Sequence, residues 1–396
     1  MLQYGNVLSS KTHNRRPIVA ADPFAMDFLR SSTLLTAEKV NTTPARVIHC
    51  RPEVVLDAPD IVNDFYSHPL SWSKDNVLAI GLGSVVYLMN MSTDTVHELV
   101  DLKTVSHSRS ENSNHVRAVK WCSVKGSTHY LAVGTDSGVR MYDTVCKKEV
   151  HTSLKVGGGT VHALCWNDSL QWLTVGYDTG KLVSLDWRSH SMTGMTRRGS
   201  PSQSSSSSVC NIAWNPAGTC LASGRSDNTI HLWDASMMRS LQVGGGPRLV
   251  LESHSAAVKG LAWCPYRSDM LASGGGTADH CIKLWDTCSG SMMHSVCTGS
   301  QVSSLIWGQH HQELYSGHGF TDNEVVVWSY PKMERIQSLS YHQDRILSMD
   351  LSPDGNQLAS IGADENLCLW KIDAASPRHR TAVAASPSFG SRFIIR

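Results

Sequence analysis

Hydrophobic and polar positions recur along the chain in repeated units. Each unit opens on an apolar residue, a variable residue and a tryptophan, and successive motifs stand 44 to 49 residues apart. A seventh unit keeps this spacing with Leu351 in place of the tryptophan. Within a unit, an apolar run ending in a small residue precedes an alternating run such as TIHLWDA or CIKLWDT. Period-two alternation with turn residues between the runs predicts β-strands. The six tryptophans are Trp72, Trp121, Trp166, Trp214, Trp263 and Trp307.

Units of this length with a Trp-Asp-like ending match the period of a WD-repeat propeller blade. A single blade cannot bury both of its faces, so stability comes from blades that stack on their neighbours around a channel. We therefore expect an all-β fold, a seven-bladed WD-repeat β-propeller over residues 53–373. Residues 1–52 show little periodicity and are predicted to be largely disordered, and residues 374–396 are predicted to form a flexible C-terminal tail.

An aspartate stands six residues before the closing aromatic residue in five of the units. We expect it in the turn between the second and third strands, where its carboxylate accepts hydrogen bonds from the backbone or a histidine. His254 and His342 are the candidate donors, and the acids are predicted to be structural rather than catalytic. The five pairs are Asp136 and Tyr142, Asp227 and Trp233, Asp279 and Trp285, Asp322 and Trp328, and Asp364 and Trp370.

Three consecutive glycines, residues 274–276, precede one of these aspartates. Glycine adopts positive φ without steric cost, so the run is expected to turn with positive φ at a blade edge. Residues carried by such turns face solvent on one rim of the ring, and loops on a stiff scaffold are where binding residues concentrate.

Charge and composition exclude several classes of protein. Lys and Arg total 35 against 34 Asp and Glu, so the net charge of +1 provides no field that would attract nucleic acid or an anionic membrane. No run of about 18 apolar residues indicates a membrane span. Eleven cysteines without a C-x-x-C pair indicate reduced thiols rather than a disulfide framework or a metal site. We expect a soluble intracellular chain without a cofactor.

Signals of catalysis are weak. Gly176 to Lys181 resembles a phosphate loop but has three residues rather than four between its glycines, and a hairpin turn accounts for it better. The sequence contains no G-x-S-x-G or H-E-x-x-H motif. The basic residues form no stripe on any strand set. The chain is predicted to be neither an enzyme nor a reader of nucleic acid.

The segment VVLDAPDIVNDFYSHPLSW, residues 54–72, resembles the Fizzy family of WD-repeat coactivators, which bring substrates to the anaphase-promoting complex. The resemblance continues through GSQVSSLIW and SGHGFTDNEVVVW and covers roughly residues 54–373. It implies a non-catalytic substrate-recognition and activator subunit of that ubiquitin ligase in the nucleus and cytoplasm. The implied partners are ligase subunits, degron-bearing substrates and checkpoint inhibitors.

The family binds a destruction box of R-x-x-L form between its first and last blades. The matching acids in this chain are Asp57 and Glu365, which ring closure would bring together. Two carboxylates at one groove suit a guanidinium, because such charge-assisted bonds are strong. Leu56 and Pro59 are candidates for the pocket that receives the ligand's leucine. The alternative from charge alone makes Asp57 a strand-end residue and Glu365 a turn acid.

The family also binds a KEN box on the rim. Complementarity assigns the ligand's Lys to Asp64 or Asp227, its Glu to Arg345, and its Asn to Gln301 with Thr277. Where the family has G-G-N-D-N, this chain has Arg225 and Ser226, and this departure is expected to reduce or alter KEN binding. The matching positions are Asp64, Phe65, Asp227, Asn228, Thr277, Gln301 and Arg345.

The terminal regions relate to the ligase itself. Ile395 and Arg396 resemble the family's Ile-Arg docking tail. The family's activating D-R-[FY]-I-P box is missing, and residues 15–18, RRPI, are only a weak substitute. This departure leaves an alternative open: a divergent scaffold or competitor that binds partners but does not activate the ligase.

Overall fold

The computed structural model describes residues 48–105, 114–154, 158–186, 191–195, 207–239, 246–372 and 393–394. These residues form seven sheets, six of four strands and one of five. Blades one to three contain, in order, β2 (Leu70–Trp72), β3 (Val77–Leu82), β4 (Val85–Asn90), β5 (Thr95–Asp101); β6 (Val116–Trp121), β7 (Tyr130–Thr135), β8 (Gly138–Asp143), β9 (Lys148–Leu154); and β10 (Val161–Asn167), β11 (Trp172–Tyr177), β12 (Leu182–Asp186), β13 (Ser191–Met195).

Blades four to six repeat the arrangement, each as a four-stranded antiparallel sheet. Two short helices, α1 (Leu102–Val105) and α2 (Ala235–Arg239), follow β5 and the third strand of blade four. The strands are β14 (Val209–Trp214), β15 (Cys220–Arg225), β16 (Thr229–Asp234), β17 (Leu249–Glu252); β18 (Val258–Trp263), β19 (Met270–Gly275), β20 (Cys281–Asp286), β21 (Met292–Cys297); and β22 (Gln301–Trp307), β23 (Glu313–Gly319), β24 (Glu324–Ser329), β25 (Glu334–Ser340).

Blade seven joins distant parts of the chain. It consists of β26 (Ile346–Leu351), β27 (Gln357–Gly362) and β28 (Asn366–Lys371), followed by β1 (Val54–Asp57) and β29 (Phe393–Ile394). β1 is antiparallel to β28, and β29 is parallel to β1. The first strand of each blade contacts the first strand of the next, and the last contacts the first. The seven-bladed propeller predicted from the sequence is therefore confirmed as a closed ring.

The core lies between blades rather than within them. Each of the seven hydrophobic clusters of the described residues spans two neighbouring blades. The repeated tryptophans also cross these boundaries: the indole Nε1 of Trp121, Trp263 and Trp307 donates to the backbone oxygen of Ser71, Ala213 and Ala262, respectively. In each case the acceptor residue immediately precedes the tryptophan of the previous blade. The motif thus stacks successive blades in register.

The aspartate turns are confirmed in the blades that carry His254 and His342. His254 Nδ1 lies 2.7 Å from the Asp279 carboxylate and its Nε2 lies 2.7 Å from Ser273 Oγ, and Trp285 Nε1 donates to the same Oγ. Burial alone would raise the pKa of the Asp279 carboxyl, but hydrogen bonds from His254 and Ser255 hold that pKa below its usual value. The acid is therefore a satisfied structural group.

Blade seven repeats this network through His342, Asp364, Ser360 and Trp370. Blade six differs, because within the described residues the exposed Asp322 carboxylate has no such donor. There Ser316 bonds His318 of the same strand instead.

The expectation of positive φ at residues 274–276 is wrong. None of the three glycines has positive φ; His280, at the end of this turn, does, with φ of 55°. Glycine is required at position 274 because blade six approaches it closely: a Cβ atom there would stand 2.3 Å from Val302 Cγ1. The small residue lets the inner strand of the next blade pack against β19.

One face of the ring gathers the candidate binding residues. Because antiparallel strands alternate in direction, the starts of the first strands, the turns between second and third strands, and residues 58–69 all lie on the same side. We call this face the upper rim. Residues 1–47 and most of 373–396 lie outside the described residues, so the predicted flexible tails remain predictions.

Candidate ligand-binding sites on the upper rim

The pairing of β1 with β28 brings the backbones of Asp57 and Glu365, the two predicted destruction-box acids, close together. Asp57 stands opposite Asn366, and the N–H of Ala58 donates to the backbone oxygen of Glu365 at 2.8 Å. Glu365 is exposed in the turn before β28 with φ of 59°. Among the described residues, neither carboxylate has a hydrogen-bond or ion-pair partner. We call these two acids with β1 the blade-seven edge.

The pocket residues behave differently from the acids. Leu56 is only 2% exposed and packs in the cluster between blades seven and one. Strand alternation turns Asp57 to the face opposite Leu56. Leu56 is therefore a core residue, and the expectation that it lines a surface pocket with the acids is not met. Pro59 is half-buried just after the strand.

Arg345, a predicted KEN-box residue, contacts two residues of the upper rim that the sequence did not indicate. Arg345 donates from Nε to Asn63 Oδ1 at 2.8 Å and from Nη2 to the Asn63 backbone oxygen at 3.0 Å. Its guanidinium also lies over the Phe320 ring, 5.3 Å from the centroid. These contacts join blade seven to the segment before β2 and to the β23–β24 turn of blade six. They fix the Arg345 side chain on the rim.

Asp64 is already engaged on this rim. Its Oδ2 accepts from Arg117 Nη1 at 2.9 Å, while Arg117 Nε bonds Asp136 Oδ1 at 2.6 Å. Its Oδ1 accepts from the N–H of Tyr66. A ligand lysine at Asp64 would therefore share the carboxylate with a guanidinium.

A buried lysine lies beside this group. Lys259 is 0% exposed, bonds the backbone oxygen of Leu347, and places Nζ 5.3 Å from the centroid of the Phe65 ring. Burial lowers the pKa of Lys259 to about 7, opposed by the nearby Asp64 carboxylate and reinforced by Arg345. We call Asn63, Asp64, Phe65, Lys259 and Arg345 the central cluster.

Gln301 borders the central cluster. It is 4% exposed, and within the described residues its Oε1 is buried without a hydrogen-bond donor. A Cβ atom at Gly319 would stand 2.6 Å from Arg345 Cβ and 2.9 Å from this Oε1. Both side chains therefore pack directly against the glycine. This amide oxygen could accept a hydrogen bond from a ligand N–H group only if its surroundings opened.

The remaining KEN-type residues stand apart on neighbouring turns. Asp227 is exposed, with Oδ2 3.6 Å from Arg225 Nε and Oδ1 accepting from Thr229. Burial would raise the pKa of Asp227, but hydrogen bonds from Ser207 and Thr229 lower it. Asn228 has φ of 70°, and Thr277 is exposed in the β19–β20 turn. No described contact joins these residues to the central cluster. Ile395 and Arg396 lie outside the described residues.

Sequence reasoning missed Lys259, Asn63, Phe320 and Arg117. The sequence did contain a signal for Lys259, since a charged residue interrupts the apolar run AAVKGLAW. The other three depend on contacts between residues far apart in sequence, which no local pattern indicates.

A comparison with protein-family models matches residues 56–370 to the CDC20/Fizzy WD40 domain. The chain belongs to the CDC20/Fizzy family. It is 38% identical over 360 residues to an Arabidopsis thaliana protein named cell division cycle 20.5, cofactor of APC complex, covering 90% of this chain and 75% of that one. It is 36% identical to the Dictyostelium discoideum anaphase-promoting complex subunit cdc20, covering 86% and 65% of the two chains.

A solved structure agrees with this family assignment. A chain in the crystal structure of a mitotic checkpoint complex matches with a TM-score of 0.73 and 33% identity, covering 91% of this chain and 100% of that one. In the described part of this Fizzy-family chain, no helix is long and apolar enough to cross a membrane. The same residues contain no cluster of His, Cys, Asp and Glu suited to a metal ion.

Proposed function

We propose that this Fizzy-family chain is a non-catalytic substrate-recognition and activator subunit of the anaphase-promoting complex ubiquitin ligase, binding destruction-box and KEN-box degrons. Relatives that cover most of its length are cofactors or subunits of that complex. This similarity favours the coactivator over the alternative of a scaffold or competitor that leaves the ligase inactive. The match to a checkpoint-complex chain supports checkpoint inhibitors as further partners.

The observation that carries the degron proposal is the blade-seven edge. Ring closure sets the exposed Glu365 beside Asp57, two acids without partners among the described residues. Unpaired carboxylates on a rim lose little solvation when a guanidinium arrives, and each charge-assisted bond contributes about 1.5–3 kcal/mol. The arginine of an R-x-x-L peptide carries the charge that two such acids attract.

The central cluster fits the KEN peptide through complementary groups. Arg345, held by Asn63 and Phe320, presents a guanidinium to the peptide's Glu. Gln301 Oε1 offers an acceptor to the Asn amide. Of the two candidate acids, Asp227 is the better partner for the Lys, because Asp64 is occupied by Arg117.

Direct binding tests the degron proposal. A fluorescent R-x-x-L peptide is titrated with the intact chain and with Asp57→Asn and Glu365→Gln variants, with Asp75→Asn as the matched control. Asp75 is an exposed acid in the β2–β3 turn on the opposite rim. We expect both rim variants to bind more weakly and the control to bind normally; equal binding by all four proteins would rule out the assigned acids.

Ligase activation needs a separate measurement. A reconstituted ubiquitination reaction with this chain as the only coactivator should modify a destruction-box substrate, and deletion of Ile395 and Arg396 should reduce that activity. If the chain binds the peptide but supports no ubiquitination, the result would favour the alternative of a scaffold or competitor that does not activate the ligase. From the family resemblance we also propose that the chain works in the nucleus and cytoplasm, which imaging of a tagged chain tests.

A further inference from the structure

Blade seven differs from the other six blades in having a fifth strand. β29 comes from a distant part of the sequence and pairs parallel with β1, with Phe393 opposite Leu56 and Ile394 opposite Asp57. The other described sheets end at their fourth strand. The edge that β29 covers is therefore the one that carries the first destruction-box acid.

The backbone explains why this edge accepts another strand. The N–H of Ala58 faces β28, where it donates to the Glu365 oxygen at 2.8 Å. Peptide groups alternate between the two sides of an antiparallel strand, so those of Val55 and Asp57 face the open edge. Without β29 these groups would form a template for an extended peptide, and main-chain pairing of this kind is a common mode of peptide recognition.

The sequence around β29 has the chemistry of a ligand for this edge. The stretch Arg392, Phe393, Ile394, Ile395 reads Arg-x-x-Ile, the same order of a cation and an apolar residue as the R-x-x-L destruction box. Arg396 adds a second positive charge, and the edge bears the unpaired acids Asp57 and Glu365. The segment therefore shares its sign of charge and residue order with the R-x-x-L box, while the register places Ile394 rather than an arginine opposite Asp57.

We propose that the segment containing β29 is an internal ligand of the blade-seven edge, occupying the strand position that a destruction-box peptide needs. A degron then binds only when β29 leaves. The same stretch contains the Ile395–Arg396 pair that resembles a ligase-docking tail, so docking on the ligase would draw β29 away. Because such coupling is reciprocal, degron binding and ligase docking assist each other. The competition rests on the proposed degron site, whereas the docking of β29 does not.

Hydrogen exchange tests the docking without any ligand. Phe393→Pro removes the N–H that the parallel register directs to β1, and Val383→Pro makes the same change in the same stretch of sequence outside β29. We expect the Asp57 amide to exchange about tenfold faster or more in Phe393→Pro, and at the intact rate in Val383→Pro. Equal exchange in all three proteins would overturn the inference.

Peptide affinity tests the competition. If β29 leaves the edge free in roughly 0.1 to 0.3 of the molecules, Phe393→Pro should bind an R-x-x-L peptide about three- to tenfold more tightly than the intact chain and the Val383→Pro control. A synthetic peptide of residues 391–396 should displace the fluorescent peptide from Phe393→Pro.

The two measurements separate the outcomes. If exchange accelerates in Phe393→Pro while peptide affinity stays equal, β29 docks but does not compete, and the inference is wrong on that point. If none of the proteins binds the peptide, the proposed degron site fails, and the exchange rates alone decide whether β29 covers the edge.

Discussion

At the blade-seven edge, Asp57 and Glu365 have no partner among the described side chains, whereas the charged groups of the central cluster already have bonding partners. Asp64 is held by Arg117, and Arg345 by Asn63. A ligand at the edge gains new charge-assisted bonds, but a ligand at the central cluster must exchange existing ones. The edge should therefore depend strongly on single charges, and the cluster should depend more on how its side chains are held.

The largest expected effect is at the edge. The double variant Asp57→Asn, Glu365→Gln should bind an R-x-x-L peptide at least about 100-fold more weakly, because both charge-assisted bonds are lost. Its affinity for a KEN peptide and its melting temperature should stay at the intact values, since neither carboxylate has a partner among the described residues. Isothermal titration with both peptides measures the contrast, and a parallel loss of KEN binding would show that the two regions are not independent.

The buried amine of the central cluster should appear in stability against pH. The folded pKa of Lys259, about 7, lies below the value of a free lysine. Above pH 7 the native amine loses its proton while the unfolded amine keeps it, so the free energy of unfolding rises with pH. Relative to Lys259→Met, the intact chain should gain about 2 kcal/mol between pH 7.5 and 9.

Urea unfolding at several pH values measures this gain. Lys332→Met, which removes an exposed lysine of blade six, is the control and should keep the slope of the intact chain. An equal slope in Lys259→Met would mean that the amine titrates as in water.

A smaller effect is expected at Arg345. Arg345→Ala should weaken KEN-peptide binding about tenfold, since it removes one charge-assisted contact, and leave R-x-x-L binding unchanged. Arg267→Ala serves as the control, because Arg267 pairs with Asp269 in the β18–β19 turn on the opposite rim. Anisotropy titrations with each peptide distinguish the two sites. Full KEN affinity in Arg345→Ala would show that Arg345 does not contact the KEN peptide.

The smallest effect should be at Asp227. An exposed ion pair contributes about 0.2–1 kcal/mol, so Asp227→Asn should weaken KEN-peptide binding by at most about fivefold. The same titration of Asp64→Asn sharpens the assignment of the peptide's Lys. Loss of affinity in Asp64→Asn with full affinity in Asp227→Asn would transfer that role to Asp64.

Local sequence patterns predicted the repeating parts of this molecule well. The spacing of Trp72 and its equivalents predicted the blades, and the Asp279 and Asp364 turns with their histidines are confirmed. The prediction at residues 274–276 was wrong because it treated glycine as a turn former. Gly274 must be small because Val302 of the next blade packs against it. The sequence pattern of a single blade does not show a contact with the next blade.

At the candidate sites, too, local sequence patterns did not predict contacts between distant parts of the chain. Asp57 and Glu365 were paired through resemblance and ring closure; their backbones are neighbours in the structure, and their shared role in binding stays a prediction. Leu56 was misjudged because its place between two blades depends on which face of β1 turns inward. Lys259 was missed because its partners Phe65 and Leu347 come from distant parts of the chain.

The sequence by itself determined the number of blades, their strands and the acids of their turns, since each follows from contacts within one repeat or between adjacent repeats. Tertiary structure alone decided that β1 completes blade seven, that β29 covers its edge, and that Arg345 meets Asn63. The physical reason is the closure of the propeller into a ring. A ring brings together groups from distant parts of the chain, and the pairing of such groups depends on register and side-chain direction that short-range periodicity does not encode.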